Sequence, residues 1–120
     1  MKTVRNYLLK DNTLKQLLKG DNIFLVEKPE QINLDNYLIY KYKELTGGLI
    51  KDYQLEFNLV GKDLTKLLEI KERLIQLLDK PREQNYIKMV RQSKLLNGGG
   101  MLKNPNTDNY EIILFFLIKK

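Results

Sequence analysis

The last strand-like stretch of this 120-residue chain, Tyr110 to Ile118, is apolar on both sides of a pleat. Side chains alternate between the two faces of a strand, so Tyr110, Ile112, Leu114, Phe116 and Ile118 go one way and Ile113, Phe115 and Leu117 the other. Glu111 alone interrupts the run. A strand of this kind has to be covered twice. Either an element of the same chain, such as the N-terminal helix, lies on the second face, or that face meets a neighbouring subunit.

The other elements can be set around this strand. Val4, Tyr7, Leu8, Leu14 and Leu18 share one helical face at about 100° per residue. Asp11 falls in the middle of that face, and burying a lone carboxylate is costly. The pattern therefore predicts a break, with one helix ending near Lys10, Asp11 or Asn12 capping a second short helix through Leu18, and Gly20 closing it. Asn22 to Val26 reads as a short strand and Tyr37 to Tyr42 as a longer one rich in aromatic and β-branched residues. Tyr53 to Val60 alternates cleanly, with Tyr53, Leu55, Phe57 and Leu59 opposed to Gln54, Glu56 and Asn58. The Gly47-Gly48 pair between the last two strands makes them a hairpin.

Lys62 to Leu78 carries the strongest helical pattern, with Leu64, Leu67, Leu68, Leu74, Ile75 and Leu78 on one face and Pro81 beyond its end. Ile70 and Leu77 widen the stripe, as suits a helix lying on a sheet. Tyr86 to Leu96 reads as a fourth strand, and a long loop through Gly98-Gly99-Gly100 and Pro105 leads to the fifth. The expected fold is α+β, a single domain over residues 1–120: two helical segments packed on a largely antiparallel sheet of about four to five strands, in the order α-β-β-β-α-β-β.

Composition narrows the chemistry. The chain has no His, no Cys and no Trp, which removes disulfides, thiol chemistry and histidine acid/base work near neutral pH. Asp63, Glu69, Glu72 and Asp79 lie toward the solvent side of the long helix and form no convergent carboxylate pair or hard-cation set. The glycine triplet lacks the following helix and Lys-Ser/Thr pair of a phosphate loop. Tyr53 and Phe57 sit on one strand face as base-stacking aromatics do, but their alternation with polar residues indicates core. The expectation is a protein that is not an enzyme and takes no metal or cofactor.

The 21 Lys and Arg against 15 Asp and Glu give a net charge of +6, spread along the chain. That balance suits a soluble surface and also permits contact with phosphate backbones, so a small basic nucleic-acid-binding module is one alternative and a protein-binding adaptor another. No signal-peptide core is present at the N-terminus, and no apolar run reaches the roughly 20 residues of a membrane helix. Apolar residues in polar loops add to the second face of the last strand as docking candidates. The expected subunit or partner interface is Leu49 and Ile50 in the hairpin tip, Met101 and Leu102 after the glycines, and Ile113, Phe115 and Leu117.

The whole layout resembles the tail-completion proteins of tailed phages, the small tail terminator and tail-to-head joining proteins. The resemblance runs through Leu8-Leu9, Asp11, Leu14 to Leu18, Gly20, Asn22-Ile23-Phe24 to Pro29, Tyr37 to Tyr40, Tyr53 to Leu59, and Leu64 to Leu78 followed by Asp79. It rests on the order of elements and apolar spacing across nearly the full chain, while the segment Asn97 to Asn109 is longer than in that family. The resemblance implies an α+β subunit that forms a ring, commonly hexameric, at the end of the tail tube, assembled in the host bacterial cytoplasm and carried in the virion. Its implied partners are copies of itself, the tail tube protein and a head-completion protein, with DNA passing through the lumen in non-specific contact.

Overall fold

A computed structural model of the chain describes residues 2–26, 28, 36–45, 52–80, 87, 90–98 and 100–119. Among these the elements are α1 (Lys2–Leu9), α2 (Asn12–Leu18), β1 (Ile23–Leu25), β2 (Asn36–Glu44), β3 (Asp52–Gly61), α3 (Leu64–Leu78), β4 (Gln92–Asn97), β5 (Met101–Lys103) and β6 (Tyr110–Lys119). The fold is α+β. Its sheet runs β1-β2-β3-β6-β4, with β5 beside the first part of β6. The β1–β2 pair is parallel and every other described pair antiparallel. β6 lies between β3 and β4, and α3 crosses from one to the other, so the long apolar strand sits inside the sheet.

The expected break in the N-terminal helix is present, and Asp11 makes it. Its carboxylate accepts from the Leu14 amide at 2.9 Å as the N-cap of α2. At the other end Lys19, not Gly20, takes the left-handed conformation at φ 57°, and the Lys19 and Gly20 amides donate to the Gln16 and Lys15 carbonyls. This is a Schellman closure placed one residue earlier than the glycine suggested. Asp63 caps α3 through the amides of Thr65 and Lys66.

All three helices send their buried side chains to one face of the sheet. Val4, Leu8, Leu14 and Leu18 join Leu67, Ile70, Leu74 and Leu78 in a single core with Leu55, Phe57 and Leu59 of β3 and Ile112, Leu114, Phe116 and Ile118 of β6. Phe57 and Phe116 meet edge-on at 5.9 Å between ring centroids. Leu68, expected in the core, is exposed, because the stripe that meets the sheet centres on Leu67, Ile70, Leu74 and Leu78.

Two strand expectations need correction. Among the described residues from Tyr86 to Leu96, only Gln92 onward are strand; Ile87 and Val90 are buried without being strand, and 86, 88 and 89 lie outside the described residues. The physical reason is local: the Val90 amide donates to the Ile87 carbonyl at 3.1 Å in a turn, and the chain joins β6 only from the Arg91 amide, which donates to the Lys119 carbonyl at 2.8 Å. The presumed loop after the glycines contains β5, whose Met101 and Leu102 pair with Ile112 and Glu111. The sheet therefore has six strands among the described residues. Buried Ser93 donates its hydroxyl to the Leu78 carbonyl and so ties the end of α3 to β4.

Candidate functional site

The inner face of β6 is fully buried, and its outer face carries the candidate surface. Ile113, Phe115 and Leu117 are half-buried and stand outside the core that the helices cover. The N-terminal helices lie on the inner face with α3, so the expectation that one of them covers the second face is overturned. The reason is continuity: the break at Asp11 turns α2 onto α3, and the two helices share one apolar layer. On the outer face the register sets Ile113 opposite Asn58, Phe115 opposite Glu56 and Asn97, and Leu117 opposite Gln54 and Lys94. The result is an apolar stripe with polar margins, the usual composition of an interface core and rim.

Of the residues expected at the interface, Ile113, Phe115 and Leu117 are thus brought together. Met101 and Leu102 are both exposed, at 60% and 48%, but on a strand rather than a loop, and successive strand residues point to opposite faces. Leu102 shares the outer face with Glu111, while Met101 shares the inner parity of Ile112. Leu49 and Ile50 lie outside the described residues.

Polar groups hold this surface in place. The Glu111 carboxylate accepts from Asn58 Nδ2 at 2.8 Å and from Asn104 Nδ2 at 3.2 Å, tying β3 to the turn between β5 and β6. Tyr37 stands across β3 from Glu111, and burial together with that carboxylate pushes its phenol up. On the helical side Arg73 of α3 grips Asp11 with two hydrogen bonds, Nε to Oδ2 at 2.9 Å and Nη2 to Oδ1 at 2.5 Å. The arginine holds the Asp11 carboxyl below its usual range, against the opposing effect of burial, and Asp11 in turn raises Arg73. Between α2 and α3 runs an apolar groove of about 530 Å³ floored by Leu17 and Leu68 and edged by Glu69 and Glu72. Two of the acidic residues expected to be simply solvated have structural work: Asp63 caps α3, and Asp79 accepts from the Leu95 amide at 3.0 Å. Among the described residues no cluster of three acidic side chains could hold a metal ion, and no helix is long and apolar enough to cross a membrane.

Among the described residues the sheet thus carries three helices on one face and a half-buried apolar stripe on the other. It has a solved counterpart. A chain in a structure described as the virion of native gene transfer agent (GTA) particle matches with a TM-score of 0.75, covering 97% of this chain and 90% of that one at 13% identity. The two chains share a fold. No protein-family model and no curated protein sequence matches this chain.

Sequence reading missed three features of the surface. Leu25 and Val26 are exposed at the β1 edge, and Val26 has φ 68°, an outlier for a β-branched residue. Leu96 is exposed at an irregularity in β4. The Asp11–Arg73 pair spans 62 residues of sequence, and only the unpaired Asp11 in an apolar stripe hinted at it.

Proposed function

We propose that this protein is a structural subunit of a phage-like virion, acting at the end of the tail tube by forming an oligomeric ring that stops the tube and joins tail to head. The observation that carries the reading is the stripe of Ile113, Phe115 and Leu117, an apolar surface that none of the helices among the described residues covers. The shared fold with a chain of a gene transfer agent virion supports the same setting. The work of the subunit is assembly, with no catalytic step and no cofactor.

Ring closure needs two different patches on each subunit, brought together head to tail by a cyclic rotation. One is the outer stripe of β6 with the neighbouring edge of β4 and β5, where Leu96 and Leu102 are exposed. The other is the opposite edge of the sheet, at Leu25 of β1 and Val26 just after it. The tail tube protein and a head-completion protein meet the two rims of the ring, and DNA passes through its lumen.

Size-exclusion chromatography with light scattering, followed by negative-stain microscopy, tests this directly. A discrete ring is expected, alone or on addition of tail tubes, and tubes given the protein cease to elongate. A solitary subunit at high concentration that also fails to cap tubes overturns the reading.

A further inference from the structure

We propose that the apolar stripe on the outer face of one copy docks into the groove between α2 and α3 of the next. This rests on the reading above that the stripe meets another copy, and it names the surface that receives it. The groove measures about 530 Å³, within the range that encloses a compact ligand, and so has room for the side chains of Phe115 and Leu117 together. Its floor is Leu17 and Leu68, with Thr13 and Thr65 beside them and Glu69 and Glu72 on the α3 side. Leu68 is 38% exposed because Leu67, Ile70, Leu74 and Leu78 already meet the sheet, which leaves a leucine on the solvent side of α3 outside the core of its own chain.

Charge matches the two surfaces. In the groove Arg73 is already engaged, by Asp11 through Nε and Nη2 and by Gln76 through Nη1, and Lys66 reaches Glu69 only at 3.9 Å in a half-exposed pair. Glu72 makes no ion pair among the described residues, so the lip is acidic on a chain whose net charge is +6. The stripe has the opposite margins. One row across the sheet runs Lys43, Gln54, Leu117, Lys94 and the next Lys41, Glu56, Phe115, Asn97, so lysines stand on both sides of the apolar pair. Glu56 holds Lys41 loosely at 3.9 Å, while Lys43 and Lys94 make no ion pair among the described residues. An apolar centre with basic margins thus meets an apolar centre with acidic ones. The same charges disfavour stripe against stripe and groove against groove.

The placement of the two surfaces fits this pairing. The stripe lies on the face of the sheet opposite the helices, and Leu68, Glu69 and Glu72 are exposed on the side of α3 turned away from the sheet. Stripe and groove therefore open on opposite sides of the subunit, and their contact is head to tail, repeating from copy to copy and closing into a ring under a cyclic rotation. From the end of α2 at Leu18 to Ile23 of β1 is at most about 18 Å of chain, so the groove lies near the exposed Leu25 and Val26 already assigned to the receiving side.

The full chain tests this with two pairs of charge reversals and one pair of cysteines. Glu69→Lys with Glu72→Lys reverses the groove, and Lys43→Glu with Lys94→Glu reverses the stripe. Each double variant is expected to keep its circular dichroism spectrum and to associate roughly tenfold more weakly at low salt, read by sedimentation velocity. Mixing the two is expected to restore assembly, because each then presents a matching surface to the other, and high salt is expected to shrink the deficit of either alone. The chain has no Cys, so Leu68→Cys with Leu117→Cys gives a clean cross-link. Within one chain these positions lie on opposite sides, so a disulfide joins them only between copies and builds a ladder of covalent multimers, whereas either cysteine alone stops at a dimer.

Rescue on mixing, together with the ladder, supports the contact. Rings that form unchanged by either reversal, a mixture no better than its components, or a double-cysteine chain that stops at dimers overturns it and leaves the assembly reading standing, with the copies meeting elsewhere. A wild-type chain that stays solitary with or without tail tubes overturns both.

Discussion

Phe115 and Phe116 are neighbours in sequence and face opposite sides of β6, so replacing each in turn separates what the chain encloses from what it offers. Phe116 is 0% exposed and packs edge-on against Phe57. Truncating it to Ala leaves a cavity under α3 and is expected to cost about 3–5 kcal/mol. A chain of this size has roughly 5–15 kcal/mol in total, so Phe116→Ala removes a large share. Phe115 is half-buried outside the core, and its loss opens no enclosed cavity. With full burial of a Phe worth about 1.5–3 kcal/mol, partial burial predicts about 1–2 kcal/mol for Phe115→Ala in the separate subunit. The assay is urea denaturation followed by circular dichroism, under conditions where light scattering reports dissociated chains. In the assembled state the order reverses: Phe115→Ala, and more so Phe115→Asp opposite Glu56, abolishes the ring while the subunit stays folded. Equal losses from the two alanines in the separate subunit would refute the reasoning, because the outer face would then be enclosed within one chain. An intact ring carrying Phe115→Asp would refute the interface assignment.

The Asp11–Arg73 pair makes further predictions. Asp11→Asn keeps a capping oxygen but loses the charge and is expected to cost about 1–2 kcal/mol, whereas Asp11→Ala also loses the cap and costs about 1 kcal/mol more. A cycle of Asp11→Asn with Arg73→Met is expected to show coupling of about 1 kcal/mol, with Arg73 at 30% side-chain exposure limiting the figure, and additive losses would dissolve the pair. The native carboxyl is held below its unfolded value of about 3.9, so its contribution is complete above that pH and disappears as pH falls through the native value. The stability gap between wild type and Asp11→Asn should therefore stay level through neutral pH and close in acid; a gap that closes on raising the pH contradicts the sign. Val26→Gly, at φ 68° and 58% exposed, is expected to stabilise the subunit by roughly 0.5–1 kcal/mol, and a thermal melt that moves down instead would show that the strained backbone is supported by packing.

Much of the fold was legible because its elements carry strong local patterns. The alternation in Tyr53 to Val60, the stripe from Leu64 to Leu78 and the cap at Asp11 each state their secondary structure without outside help. Where local pattern and tertiary context diverged, reading by residue type failed. Ile87 and Val90 look like strand residues, yet the Val90 amide closes a turn on the Ile87 carbonyl and the pairing with β6 starts after it. Met101 to Lys103 look like loop after three glycines, yet the open side of β6 beside Ile112 supplies a partner. Of the candidate surface, Ile113, Phe115 and Leu117 could be named from alternation alone. The edge residues Leu25, Val26 and Leu96 could not, since an edge is a property of the assembled sheet.

The order of residues by itself determined that β6 would be apolar on both faces, that a helix would break at Asp11, and that the chain would lack thiol and imidazole chemistry. These follow from covalent periodicity and side-chain identity, which need no neighbours. Only the tertiary structure decided that the described helices share one side of the sheet, leaving Phe115 half-buried on the other, and that Arg73 meets Asp11. Those outcomes depend on which faces meet once the chain has closed on itself, and groups dozens of residues apart become neighbours only through the core that packs between them.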